Sequence, residues 1–239
     1  MALKAVLFDF NGVIINDEPL HDQLLEQILI QENLRPKRGE FRELCLGRSD
    51  RACLTDLLAR RGRVVTDEYL DDLIAQKSRS YQLQLEAIEK LPIYPGLADL
   101  IFQIRAAQVT MAIVSGAVRA EIDLVLQRTN LAQHFSVIVS GDDIKTSKPD
   151  PEGYLLAVER LNQQQPQLNL KPQECLVIED TFAGIEAGKR AGMQVVGVAN
   201  SYPFHMMQRC SNWAVDYLSE LEFDRVRRVY EKLNQQPVS

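Results

Sequence analysis

The stretch Ala5-Val6-Leu7-Phe8-Asp9-Phe10-Asn11-Gly12 decides the reading of this chain. Four apolar residues in a row, without polar alternation, suit a short strand buried on both faces. Asp9 stops the run, so a carboxylate stands at the carboxyl end of that strand. Working outward, the pattern repeats. Thr110 to Val114 ends in Ser115-Gly116, and Phe135 to Val139 ends in Ser140-Gly141-Asp142-Asp143. Leu176 to Ile178 ends in Glu179-Asp180, and Val195 to Val198 ends in Ala199-Asn200. Helical spacing fills the intervals at Leu97 to Ala107, Ala120 to Thr129, Gly153 to Leu161 and Gly184 to Ala191. Strands alternating with helices predict an α/β fold: a Rossmannoid parallel sheet flanked by helices.

Residues 16–88 read differently, being rich in Leu, Gln, Glu and Arg with few β-branched runs. Helices are predicted at Glu18 to Glu32, Arg51 to Arg60 and Asp67 to Lys90, and Pro92, Pro95 and Gly96 mark the return to the sheet. The expected division is a sheet core of residues 1–15 and 89–239 with an inserted α-helical domain of residues 16–88. The Gln-rich piece from Asn162 to Gln167 reads as a surface loop. Tyr217 to Leu233 reads as an amphipathic segment packed on the sheet, and Asn234 to Ser239 as a frayed end.

Composition narrows the function classes. The chain has 239 residues, 46% of them apolar, which is enough for a sizeable core. Its net charge of −6, from 27 basic and 33 acidic residues, argues against nucleic-acid binding. The N-terminus resembles neither a signal peptide nor an anchor, and no apolar stretch nears the roughly 20 residues of a spanning helix. A cytoplasmic protein without a membrane partner, monomeric or weakly dimeric, is expected. Cys45, Cys53, Cys175 and Cys210 form no metal or redox spacing, so reduced thiols are expected.

In an open parallel sheet, ligands bind beyond the carboxyl ends of the strands. Asp9, Asn11, Ser115, Glu179 and Asp180 all fall there, and Lys148 precedes a helix starting near Asp150-Pro151. Mg²⁺ takes hard oxygen ligands in octahedral geometry. Asp9 and Asp180 offer carboxylates, Asn11 its main-chain carbonyl, and Glu179 either a ligand oxygen or an acceptor for metal-bound water. A carboxylate can also attack phosphorus. Lys148 and a cation would offset charge on a transferring phosphoryl group, with Ser115 and nearby backbone N–H groups holding its other oxygens.

These residues resemble the haloacid dehalogenase superfamily, in particular its β-phosphoglucomutase and phosphoglycolate-phosphatase-like branch. Phe8-Asp9-Phe10-Asn11-Gly12-Val13 resembles the first motif, hydrophobic-Asp-x-Asp-Gly. Ile113-Val114-Ser115-Gly116 resembles the second, and Ser147-Lys148-Pro149-Asp150-Pro151 the third. Val177-Ile178-Glu179-Asp180-Thr181, followed by Gly184-Ile185-Glu186-Ala187-Gly188, resembles the fourth. The resemblance implies Asp9 as nucleophile and metal ligand, Ser115 and Lys148 at the phosphoryl group beside Gly116, and Asp180 with Glu179 completing a Mg²⁺ site. It implies that the helical insertion is a cap that closes over the site. Within that cap His21 matches a position near the hinge, against the simpler reading of a solvent-facing helix residue. Arg48 and Arg51 lie in Gly47-Arg48-Ser49-Asp50-Arg51, which resembles a specificity loop, and Lys77 resembles a phosphate-binding cap lysine. Each has an ordinary surface charge as its alternative. Glu18 would line the entrance or favour the helix start.

One position departs from the pattern. The family's second Asp, a general acid and base, is Asn11 here. An amide cannot exchange protons at useful pH, and such help is worth about 10² to 10⁴ in rate. Another residue, His21 or Glu18, takes the role; or the substrate has a good leaving group; or the protein binds a phosphometabolite without efficient turnover. Asn11-Gly12 is also prone to deamidation, which would restore the acid chemically. The expected function is a Mg²⁺-dependent phosphatase-like hydrolase of a small sugar phosphate or phospho-acid through an aspartyl-phosphate on Asp9. The alternatives are a weakened phosphometabolite-binding protein and, third, a phosphohexomutase.

Overall fold

The computed structural model describes residues 2–233. Six strands form one parallel sheet: β1 (Ala5–Phe8), β2 (Thr110–Val114), β3 (Val137–Val139), β4 (Cys175–Glu179), β5 (Gln194–Val198) and β6 (Trp213–Val215). Their order is β3-β2-β1-β4-β5-β6, so β1 is central and pairs with β2 on one side and β4 on the other. Strand order reverses at β1, and the crevice above that reversal is where such sheets bind ligands. Phe8 is in register with both Ile113 and Ile178, which brings the ends of the three inner strands level.

Period-two alternation divides the sheet residues between two faces. Val6, Phe8, Ile113 and Ile178 pack with α5 (Leu97–Ala106), α6 (Arg119–Arg128) and α10 (Phe223–Leu233). Leu7, Val114, Val177 and Val195 pack with α7 (Glu152–Gln164), α8 (Phe182–Arg190) and α9 (Phe204–Cys210). Between β1 and α5 lie α1 (Glu18–Gln31), α2 (Glu40–Leu44), α3 (Asp50–Ala59) and α4 (Asp67–Glu86). They own a third cluster, including Ile28, Leu54, Leu57 and Leu70, while Leu24 of α1 and Tyr81 and Leu85 of α4 join the sheet's core. Thus α1 and α4 tie the helical segment to the sheet.

Several expectations are corrected. Asn162 to Gln164 is the last turn of α7 rather than loop, and Pro166 opens a short 3₁₀ turn after it. The amphipathic segment from Tyr217 to Leu233 consists of a 3₁₀ turn at Leu218–Glu220 followed by α10. Tyr230 of α10 is buried and its hydroxyl donates to the Cys175 carbonyl at 2.7 Å, so this helix does pack on the sheet. Cys45 and Cys53 are not free thiols but a disulfide, with Cα atoms 4.7 Å apart, bracketing the loop between α2 and α3. Cys175 and Cys210 are free. The frayed end expected at 234–239 lies outside the described residues. No described helix is long and apolar enough to cross a membrane.

Candidate active site

Asp9 is the first residue past β1, and its N–H donates to the Ile178 carbonyl at 3.0 Å. Gly12 makes the next turn possible: it has φ +78°, and a Cβ there would collide with the Asp180 carboxylate. Glu179 ends β4 and Asp180 follows it. All three carboxylates are buried, and they present oxygens within 4.8 Å of one another. Lys148 Nζ donates to Asp9 Oδ1 at 2.8 Å, to Glu179 Oε1 at 2.7 Å and to the Val114 carbonyl at 3.1 Å. Glu179 is held hard: Tyr154 Oη donates to it at 2.8 Å, and its other oxygen accepts from Asp180 N, Thr181 N and Thr181 Oγ1.

Three carboxylates and one ammonium, all buried, carry −3 + 1 = −2 when every group is ionised. The consequence is visible in the acids. Burial, with Glu179 adding to it and Lys148 opposing, pushes the Asp9 carboxyl up to about 7. Burial and the charges of Glu18, Glu179 and Asp9 push Asp180 well above the usual range. Asp180 Oδ1 has no hydrogen-bond partner, while its other oxygen accepts from Ser201 Oγ. An unpartnered buried carboxylate oxygen inside a net negative cluster of hard ligands suits a metal cation. Lys148, whose ammonium burial would lower, is held well above its ordinary value by Asp9 and Glu179.

Asn11 sits at the rim. Its amide nitrogen donates to both Asp17 oxygens, at 2.9 and 3.1 Å, and meets His21 Nε2 at 3.0 Å. Asp17 also accepts from Tyr81 Oη and stands 3.4 Å from His21, whose ring stacks on Tyr81. Burial opposes ionisation of Asp17, but His21, Tyr81 and Asn11 outweigh it and hold the carboxyl below its usual range. His21 is therefore a buried member of this network, not a solvent-facing residue. Ser115 Oγ accepts from Ala117 N at 3.0 Å and reaches Asn11 Oδ1 at 3.5 Å. Glu18 Oε1 lies 2.7 Å from Ser201 Oγ and shares that hydroxyl's single proton with Asp180, and burial raises the Glu18 carboxyl.

The α2–α3 loop lies directly over these groups. Ser49 N donates to Ser147 Oγ at 2.7 Å, and a Cβ on Gly116 would meet the Arg48 carbonyl oxygen and Ser49 N at 2.8 Å. The cavity beneath this loop is lined by Asp9, Asn11, Glu18, His21, Arg48, Asp50 and Gly116 among its polar and backbone groups. Arg48 is present but committed, donating to the Leu44 carbonyl at 2.8 Å and to Asp56 at 2.7 Å. Arg51 and Lys77 do not line it. The Arg51 guanidinium pairs outside with Asp67 and Asp71, and Lys77 is buried behind the loop, 2.8 Å from Asp50. Asp17, Asp50, Tyr81, Tyr154 and Ser201 belong to the site without having been singled out from the sequence. Asp17 stands at the start of α1, before Glu18-Pro19, yet its side chain makes no capping bond.

The chain matches the family model of haloacid dehalogenase-like hydrolases over residues 3–192. A phosphorylated carbohydrates phosphatase of Thermotoga maritima is 29% identical over 201 residues, 83% of this chain and 87% of that protein. A β-phosphoglucomutase of Bacillus subtilis is 29% identical over 203 residues, 84% of this chain and 85% of its own. A solved β-phosphoglucomutase from Clostridium difficile superposes with TM-score 0.83 at 23% identity, covering 98% of this chain and all of that one, which bears on the fold alone.

Proposed function

The chain belongs to the haloacid dehalogenase-like hydrolases, and we propose that it is a Mg²⁺-dependent phosphatase of a small phosphorylated metabolite. The observation that carries this reading is the buried trio Asp9, Glu179 and Asp180 with Lys148 paired to two of them. The relative named as a phosphorylated carbohydrates phosphatase supports the substrate class.

In this reading Asp9 and Asp180 would hold Mg²⁺ together with the Asn11 main-chain carbonyl, and Glu179 would fix the surrounding shell. The ion would neutralise charge on the phosphoryl oxygens. Asp9 attacks phosphorus in its ionised form, which Lys148 favours from 2.8 Å. Ser115 and the Gly116 backbone face the phosphoryl oxygens. Water then cleaves the aspartyl-phosphate. Residues 16–88 act as the cap over a core of residues 1–15 and 89–239, and the Ser49–Ser147 bond holds it shut. Asn11 stands where the family's acid would, and its amide is spent on Asp17, so the leaving oxygen departs without a titratable proton from that side chain. This favours slow turnover of alkyl esters. The same observation supports a second reading, a phosphometabolite-binding protein of low turnover.

Mg²⁺-dependent phosphate release from phosphosugars, phosphoacids and p-nitrophenyl phosphate tests the reading. The protein should be fresh, with Asn11 verified intact by mass spectrometry. Release abolished by Asp9→Asn, with phosphate trapped on Asp9 by rapid quench, is the expected result. Turnover without trapped phosphate defeats the covalent route. Silence from folded, Mg²⁺-binding protein moves the weight to the binding reading.

A further inference from the structure

The cavity above Asp9 has one permanently cationic lining side chain, Arg48, against three acids, Asp9, Glu18 and Asp50. Arg48 is already matched by Asp56 and the Leu44 carbonyl. Behind the far wall lies a second charge cluster with no part in the phosphoryl site. Asp50, the first residue of α3, accepts from Lys77 Nζ of α4 at 2.8 Å, and Lys77 lies 3.7 Å from Glu121 of α6. The side chains of Lys77 and Glu121 are fully buried, and neither Glu121 oxygen has a hydrogen-bond partner. Burial, reinforced by Asp50 and opposed by Lys77, raises the Glu121 carboxyl. The triad's charge is +1 − 1 = 0 with Glu121 protonated and +1 − 2 = −1 with it ionised. In neither state does the wall offer net positive charge, and Asp50, whose side chain keeps 13% exposure, is the member of the triad that lines the cavity.

We propose that Asp50, backed by Lys77 and Glu121, selects the substrate's far end: the ester carries one phosphate on an uncharged, hydroxyl-bearing body, and a second phosphate or carboxylate is rejected. This rests on the phosphatase reading. A carboxylate accepts hydrogen bonds from hydroxyls and repels a second anion, most strongly in a site with little water to screen it. Rejection by an unmatched buried charge is a common source of specificity. Leu25, Phe41 and Leu46 on the same cavity suit the C–H surface of a polyol. Lys77, which resembles a phosphate-binding cap lysine, here donates to Asp50 at 2.8 Å and holds it in place.

The test is a matched pair differing only in CH₂OH against COO⁻: sorbitol 6-phosphate and 6-phosphogluconate, with p-nitrophenyl phosphate as a third ester. The intact protein should favour sorbitol 6-phosphate in kcat/KM by at least about tenfold, the scale of one poorly screened charge contact. Asp50→Asn should narrow that ratio, because the carboxylate that repels the second anion becomes a neutral amide. Equal rates, or preference for the acid, overturn the proposal, as does a wild-type preference that folded Asp50→Asn leaves unchanged. If Asp50→Asn does not fold, glycerol 3-phosphate against 3-phosphoglycerate on the wild type decides in the same way. No release from any ester, p-nitrophenyl phosphate included, sinks the hydrolase reading instead. The ratio of calorimetric Kd values for the same pair then still judges the selection.

Discussion

Asn11→Asp restores a carboxyl two residues after Asp9, but it does so against Asp17. The Asn11 amide nitrogen stands 2.9 Å from one Asp17 oxygen. Two unit charges about 4 Å apart at an effective dielectric near 20 repel by about 4 kcal/mol. At 1.36 kcal/mol per pH unit, that lifts the introduced carboxyl by about three units, from an ordinary value near 3.9 to about 7. A carboxyl titrating there is suited to protonate a leaving alkoxide. We expect kcat for an alkyl phosphate to rise by about 10² to 10⁴ near pH 6 and the gain to shrink above pH 7. For p-nitrophenyl phosphate, whose leaving group needs little acid help, the gain should be small.

The same repulsion has a stability signature. A raised carboxyl keeps its proton in the folded state after the unfolded chain has lost it, so its stability contribution falls as pH rises from about 4 to about 7. Relative to wild type, Asn11→Asp should be nearly neutral at pH 4 and up to about 4 kcal/mol less stable at pH 8. Urea denaturation at the two pH values and phosphate-release kinetics from pH 5 to 8 read both effects. A folded variant whose kcat on the alkyl ester equals that of wild type throughout would refute the reasoning: Asn11 would then not limit turnover.

Three further outcomes are expected. In metal-free protein burial pushes Asp9 up to about 7 and Asp180 well above its usual range, so stability falls as pH rises from about 4 to about 7. Mg²⁺ favours the ionised trio and should raise Tm more at pH 8 than at pH 5; equal gains would count against these carboxylates as ligands. In Gly184→Ala the new Cβ would fall on the Glu179 carboxylate, so urea titration should show a loss of about 3 kcal/mol or more, with phosphate release falling alongside. Cys53→Ser opens a loop closed over a separation of 8 residues, worth about 2.5 kcal/mol in the chain-entropy model. Dithiothreitol should lower the wild-type Tm and leave that of Cys53→Ser unchanged.

The five longer or more buried strands were legible because a strand covered on both faces is continuously apolar, as Ala5–Phe8 is and as β4 is up to Ile178. β6 escaped notice because it is a three-residue edge strand, only half-buried at Trp213 and Ala214. The five residues of α2 are too few to show a helical period. Asn162 to Gln164 read as loop by composition, although Gln is a good helix former and nothing breaks α7 before Pro166. Asp9, Ser115, Glu179 and Asp180 were visible because the topology collects strand ends at one edge. Asp17 and Asp50 were not, because the partners that give them meaning, Tyr81 and Lys77, lie 64 and 27 residues further along the chain. The disulfide was hidden for the same reason that makes spacing a weak signal: eight residues apart fits a helix, a loop or nothing, until α2 and α3 fold back on each other.

Asn11 and Asp17 are better understood as one arrangement than as a lost acid beside an unrelated carboxylate. The Asn11 amide has two hydrogens, and around it stand Asp17 and His21, with Tyr81 bonding Asp17 from the far side. A buried carboxylate is tolerable only when its lone pairs are occupied. With an ionised aspartate at 11, Asp17 would lose a donor and gain a like charge at the same point. The amide therefore stabilises an ionised Asp17, whose carboxyl is held low, next to a trio that already carries excess negative charge. Acid strength at position 11 is set by residue 17, so the chemistry of the first motif in this chain is decided in part by a residue of the adjoining helix start.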